Sequence, residues 1–254
     1  MSDLFRVDDL TKSFGGLAVS RAISLAMAPG ERLALIGPNG AGKTTFVNLV
    51  TGQLRPNAGR VVLNGEDVTS LGAVRRVRKG LVRTFQVTRL FAEMTPREHV
   101  TLTVLQREGK ATGIIGRFLG NHTVAEEVDD LLDVLGLAEK ADRPVGEIAY
   151  GEQRLLEIAI ALALKPKVLL LDEPAAGVPS SETPRIEQAL ARLPDSLAIM
   201  MIEHDMDLVF RFARRVVVLA AGAIIFQGPP AEVAADARVR EAYLGNYANA
   251  RRVA

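Results

Sequence analysis

The sequence predicts an α/β fold in which strands alternate with helices around a core and a helical subdomain is inserted midway. Three observations carry this. Apolar segments follow two periods, alternation suited to strands and a three-to-four spacing suited to helices. These are unevenly distributed: about 1–85 and 165–245 carry strands among helices, whereas about 86–164 reads as helical, with a glycine-rich interruption near 109–120. A glycine-rich segment, Gly37 to Thr44, lies between an apolar strand and a helix. With 254 residues and 48% apolar content, the chain can bury a large core.

Along the chain, strands are predicted at Phe5–Val7, Ile23–Met27, Arg32–Ile36 and Arg60–Leu63. A helix over Lys43–Val50 is closed by Gly52, and another over Val124–Leu135 by Gly136. Glu152–Leu164, rich in Ala and Leu, stops at Lys165-Pro166. Strands at Val168–Leu171, Leu197–Ile202, Val216–Leu219 and Ala223–Gln227 follow. Residues 1–245 are expected to form one domain, and the small, polar stretch 246–254 a frayed tail.

Lys and Arg number 31 against 30 Asp and Glu, so no global field favours nucleic acid. Residues 75–83 (RRVRKGLVR) are the densest basic run and read as a solvated helix face rather than a contact for phosphates or lipid head groups. The absence of cysteine excludes disulfides and thiolate metal sites and fits a reducing cytoplasm. The N-terminal MSDLFRVDDL lacks the apolar core of an export signal. The longest nearly apolar run, Val216–Phe226, has 11 residues, where a spanning helix needs about 20. Membrane association is therefore expected only through a partner.

The segment Gly37-Pro38-Asn39-Gly40-Ala41-Gly42-Lys43-Thr44, followed by Thr45, satisfies G-x-x-x-x-G-K-[ST] in its strand-to-helix context. Its glycines let amide groups close around phosphates at the positive end of the helix dipole. Lys43 is expected to reach the β and γ phosphates of ATP, and Thr44 to offer its hydroxyl to Mg²⁺. VLLLDE supplies the acids: Asp172 for Mg²⁺ through its water shell, and Glu173 to act on the attacking water. His204, after the strand LAIMMI, is placed to donate to the γ-phosphate and orient water and base. Gln86 in RTFQ has the chemistry to touch Mg²⁺ or the water, although spacing alone does not distinguish it from other polar loop residues.

In this order, the phosphate loop, RTFQVTRLF, Ile148 to Arg154 (IAYGEQR), VLLLDEP and IEHDM make the chain resemble the ATPase subunits of ABC transporters from about Leu4 to Gly245. SFGGLAV, YGEQRLLEIA, DEPAAG, IEHDMDLV and EAYLG make it most similar to the branched-chain amino acid uptake group, whose relatives also move urea or amides. The resemblance implies a P-loop NTPase core of the ABC ATPase type with the inserted helical subdomain and an N-terminal antiparallel β region. It also implies a sandwich of two such subunits, with Ala149, Tyr150, Gly151 and Glu152 meeting the partner's ATP in trans. Phe14 matches the aromatic that stacks on adenine. Gln86 to Glu98 matches the region that meets the permease.

The signature reads Ile148-Ala149-Tyr150-Gly151-Glu152 where Leu-Ser-Tyr-Gly-Gln is usual in this group, and Pro179 or its neighbour stands where Asp or Asn is usual. Both changes lie on elements serving the opposite ATP, which favours a heterodimer with one weakened site over a homodimer with two. The implied partners are a second ABC ATPase subunit, integral membrane permease subunits and, indirectly, a periplasmic or extracellular solute-binding protein. The implied location is the cytoplasmic face of the inner membrane, peripheral through the permease, with the isolated chain soluble. The function implied is ATP hydrolysis driving amino acid import. The alternatives are an export ATPase for lipid or polysaccharide, and a nucleotide-gated subunit with weak hydrolysis.

Overall fold

The computed structural model describes residues 3–84, 90–109 and 122–250. The elements begin with β1 (Phe5–Phe14), β2 (Leu17–Met27), β3 (Arg32–Ile36), α1 (Lys43–Val50), β4 (Ala58–Leu63), β5 (Glu66–Asp67), α2 (Ala73–Arg78) and β6 (Leu81–Arg83). A helical stretch follows, with α3 (Pro96–Arg107), α4 (His122–Val134) and α5 (Tyr150–Ala163). Strands then alternate with helices: β7 (Val168–Asp172), α6 (Thr183–Ala191), β8 (Ala198–Ile202), α7 (Met206–Phe212), β9 (Arg215–Ala220) and β10 (Ala223–Gly228). The last helices are α8 (Pro230–Val233) and α9 (Ala237–Ala250). Helix α9 continues past Asn246, where composition alone places the start of a frayed tail.

Two sheets organise these elements. An antiparallel sheet in the order β2-β1-β4-β5 is formed by the N-terminal part, and a second sheet runs β10-β9-β3-β8-β7-β6. Within the second, β9, β3, β8, β7 and β6 are mutually parallel, and only β10 returns antiparallel. All five residues of β3, β7 and β8 are buried, as expected for parallel strands covered on both faces. Period two sorts them. Val168 and Leu170 of β7 point into a core shared with α1 and the antiparallel sheet, through Phe46, Leu49, Phe5 and Met27. Leu169 and Leu171 point into the core shared with α3, α4 and α5, through Val104, Leu132 and Leu156.

The basic run 75–83 is not the solvated helix face that its composition suggests. Arg75 and Arg78 are exposed, but Arg76 is 1% exposed, and Leu81–Arg83 form a sheet strand. The Arg76 guanidinium donates to the carbonyls of Leu49 (2.8 Å), Val50 (2.6 Å), Leu71 (2.9 Å) and Thr69 (2.8 Å). Leu49 and Val50 end α1, whose last carbonyls have no partner within the helix and carry the negative end of its dipole. A buried cation is stable there because four carbonyls replace its water.

Candidate functional site

Because β8 lies between β3 and β7, the segments leaving these three strands emerge side by side at one sheet edge, the crevice where open α/β sheets bind ligands. The phosphate loop leaves β3, the acids end β7, and His204 follows β8. Gly37 carries φ 156° and Gly42, the N-cap of α1, φ 101°. A Cβ at Gly37 would collide with the Leu219 carbonyl, and one at Gly42 would stand 2.7 Å from the Val19 carbonyl. Helix α1 has no side-chain cap and no acidic residue in its first turn, which leaves its first amides and dipole for an anion. The Lys43 ammonium donates to the carbonyls of Gly37 (2.6 Å) and Pro38 (3.1 Å). Burial lowers its pKa, while the charges of Glu173 and Asp172 pull the other way.

Asp172 is buried, and its amide is bound by the Thr84 hydroxyl at 3.2 Å. Its carboxylate accepts a short ion-paired hydrogen bond from the Arg83 guanidinium, which also donates to Asn48 Oδ1 at 2.8 Å. Glu173 adopts φ 50°, a left-handed conformation rare for a residue with a side chain, and its amide is fixed to the Ile202 carbonyl at 2.8 Å. His204 Nδ1 lies 3.9 Å from Glu173 Oε1 and 3.5 Å from Glu203 Oε2, with the ring largely exposed. The structure thus brings together the loop, Asp172, Glu173 and His204. Gln86 lies outside the described residues.

Among the described residues no cluster of three His, Cys, Asp or Glu side chains could cage a metal. The exposed Thr44 and the Asp172 carboxylate offer hard oxygen donors at one crevice. That donor set fits Mg²⁺, which takes one or two protein oxygens and completes its shell with water and phosphate.

Helix α5 opens at Tyr150 with Ala149 as its N-cap. Alanine has no acceptor, so only half of a capping box forms: Glu152 Oε2 accepts from the Ala149 amide at 2.9 Å. Glu182 Oε2 accepts from the Gly151 amide at 3.1 Å. Both acids satisfy amides at the end that the resemblance assigns to a phosphate. Phe14 stands half exposed at the β1–β2 turn, with Lys12 Nζ 5.3 Å from its ring centre.

Sequence reasoning missed three residues here. Glu203 is buried, and its carboxylate gathers the amides of His204 (2.7 Å), Ala175 (3.2 Å) and Asp205 (3.2 Å), tying the segment after β7 to the one after β8. An acid directly after an all-apolar strand was its signal. Arg83, the last residue of β6, was hidden inside a basic run. Tyr243 of α9 lies in EAYLG, where no local pattern marks it as part of a site. Burial raises its phenol pKa, against a hydrogen bond from the Gly37 backbone. Pro38, Asn39, Gly40 and Ala41 line a cleft of about 630 Å³ with Arg238, Glu241 and Ala242, so α9 flanks the phosphate loop.

Comparison with known proteins agrees with this geometry. The high-affinity branched-chain amino acid transport ATP-binding protein LivG of Escherichia coli is 38% identical over 251 residues, covering 95% of this chain and 98% of LivG. BraF of Pseudomonas aeruginosa, which bears the same description, is 37% identical over 95% of this chain and 98% of its own. The ADP conformation of MJ1267, an ATP-binding cassette of an ABC transporter, superposes with TM-score 0.83 at 29% identity, covering 96% of this chain and all of that one. Residues 223–249, which include Tyr243, match the family described as branched-chain amino acid ATP-binding cassette transporter. With residues 20–176 matching the ABC transporter family and the loop, acids and histidine assembled at one crevice, the chain belongs to the ATP-hydrolysing, ATP-binding subunits of ABC transporters.

Proposed function

We propose that this chain energises the uptake of branched-chain or related amino acids, binding Mg²⁺-ATP at the crevice between β3, β7 and β8. The observation that supports the substrate class is the match over 95% of the chain to proteins of branched-chain amino acid transport, extending through α9. The core, about 1–85 and 165–245, binds nucleotide, and the inserted helical subdomain, about 86–164, carries the signature and faces the permease.

In this reading Phe14 stacks on adenine, and the amides from Gly37 to Thr45 enclose the phosphates. Lys43 exchanges its two loop carbonyls for phosphate oxygens, a charge-assisted contact that its present neutral partners cannot equal. Thr44, Asp172 and Gln86 would hold Mg²⁺, which would supply positive charge against the phosphates. Glu173 takes the proton of the attacking water. His204, whose Nδ1 lies 3.9 Å from Glu173 Oε1, would orient that water and donate to the γ-phosphate. The chain contributes position and electrostatics rather than a covalent intermediate.

Ala149, Tyr150, Gly151 and Glu152 serve the ATP of a second ATPase subunit. With two of the α5 amides bound to Glu152 and Glu182, and no hydroxyl at 149, this signature is the weaker half, which favours a heterodimer. The exposed Phe91 belongs to the segment proposed to dock on the permease. In this reading permease subunits supply the membrane attachment, at the cytoplasmic face; no described helix is long and apolar enough to cross a membrane.

The test is ATP turnover by the chain copurified with its membrane partners and reconstituted with their solute-binding protein. Stimulation by leucine, isoleucine or valine supports the reading. Stimulation by urea or a short amide alone transfers the chain to that substrate class. Copurification with export proteins contradicts import.

A further inference from the structure

The Arg83–Asp172 ion pair occupies the carboxylate proposed to help hold Mg²⁺, and nothing in the hydrolytic chemistry above uses Arg83. Its side chain is 12% exposed and that of Asp172 9%, so water screens the pair little. One guanidinium nitrogen is ion-paired to Asp172 Oδ2, and the other donates to Asn48 Oδ1 of α1 at 2.8 Å. Among the described residues Nε is buried with no hydrogen-bond partner. A fully satisfied guanidinium would use all its donors, so this pose leaves a buried donor unmade and is not the best that the group can achieve.

We propose that Arg83 is a positioning residue that holds Asp172 in the absence of metal and competes with Mg²⁺ for it, so that Arg83 sets the Mg²⁺ concentration at which nucleotide binding tightens. A cation paired with a carboxylate in a poorly screened site reduces that carboxylate's attraction for a second cation and repels the newcomer. Without any cation, Asp172 would stand buried and unpaired beside phosphates of its own sign, which is costly. Arg83 removes that cost in the metal-free state. Asn48 provides an anchor that retains the guanidinium at the crevice when Asp172 turns to the metal, and it lies on the helix that begins at the phosphate loop. Release of Asp172 is therefore coupled to α1 through one side chain.

The inference rests on the proposed Mg²⁺-ATP site, and one experiment separates the two. Equilibrium binding of a fluorescent ATP analogue to the full chain is measured in EDTA and across a Mg²⁺ titration, for the natural protein, Arg83→Gln and Arg83→Lys. Circular dichroism confirms that each is folded. For Arg83→Gln the Mg²⁺ midpoint is expected to fall about 3- to 10-fold, with weaker binding than the natural protein in EDTA. Arg83→Lys, which keeps the cation but not the fork, is expected to stay within about 2-fold of the natural midpoint. An unchanged or raised midpoint in Arg83→Gln overturns the competition. Should Arg83→Gln not fold, Asn48→Ala takes its place, and because it loosens the anchor its midpoint must shift by more than about 2-fold for the proposal to stand. If the natural protein binds no nucleotide, or binds it without regard to Mg²⁺, the site reading fails instead.

Discussion

Ala149 gives the N-cap of α5 no oxygen, and carboxylates from Glu152 and Glu182 accept from two amides at the end proposed to meet a phosphate. Restoring a hydroxyl with Ala149→Ser should raise steady-state phosphate release by the assembled transporter about 10- to 150-fold, from one charge-assisted hydrogen bond worth about 1.5–3 kcal/mol. An unchanged rate would remove the signature from the explanation. Arg76→Met should lower unfolding free energy in urea by about 3 kcal/mol, because it leaves the carbonyls of Val50, Leu71 and Thr69 without their side-chain donor and that of Leu49 with only the Gly52 amide. A loss below about 1 kcal/mol would mean that water reaches those carbonyls. Residues whose chemistry is local in sequence were legible: Lys43 and Thr44 follow their glycines directly, and Asp172 and Glu173 end their own strand. Arg76, Arg83 and Glu203 were not, because their partners lie in other elements and only the fold brings them together.

At the scale of elements, apolar period and length identified β3 and α1 to the residue, and β7 and β8 within one. Each is a buried run bounded by glycine, proline or a charge, so burial and boundary coincide. The two-residue β5 and three-residue β6 are too short to show a period, and each exists only because a neighbouring strand offers free backbone groups. Helix α3 shows how a start can be written plainly: the Thr95 hydroxyl accepts from the Glu98 amide at 3.2 Å, Glu98 Oε2 accepts from the Thr95 amide at 2.8 Å, and Pro96 follows the cap. Thr95→Ala should cost about 1 kcal/mol by urea denaturation, since Glu98 can still hold its half. If stability is unchanged, tertiary packing alone starts α3. Helix α9 was missed because its sequence is small and polar, and its purchase on the core comes from Val239 and Tyr243.

For the whole molecule, the sheet order places three strand ends at one crevice, and in the proposed function a second subunit supplies the other half of the site built there. Phe91, 63% exposed, lies at the head of the helical subdomain with its amide bound to the His99 ring at 3.0 Å. Phe91→Asp should abolish copurification with the permease while leaving nucleotide binding by the isolated chain within about 2-fold. Retained copurification would move the docking surface elsewhere. The central claim is that Glu173, held in its left-handed turn beside His204, drives hydrolysis of ATP bound at Gly37 to Thr44. Its most direct test is steady-state phosphate release by the assembled complex carrying Glu173→Gln, with ATP binding measured on the same sample. The rate is expected to fall at least about 100-fold with binding preserved, and a rate within about 2-fold of the natural complex would remove Glu173 from the chemistry.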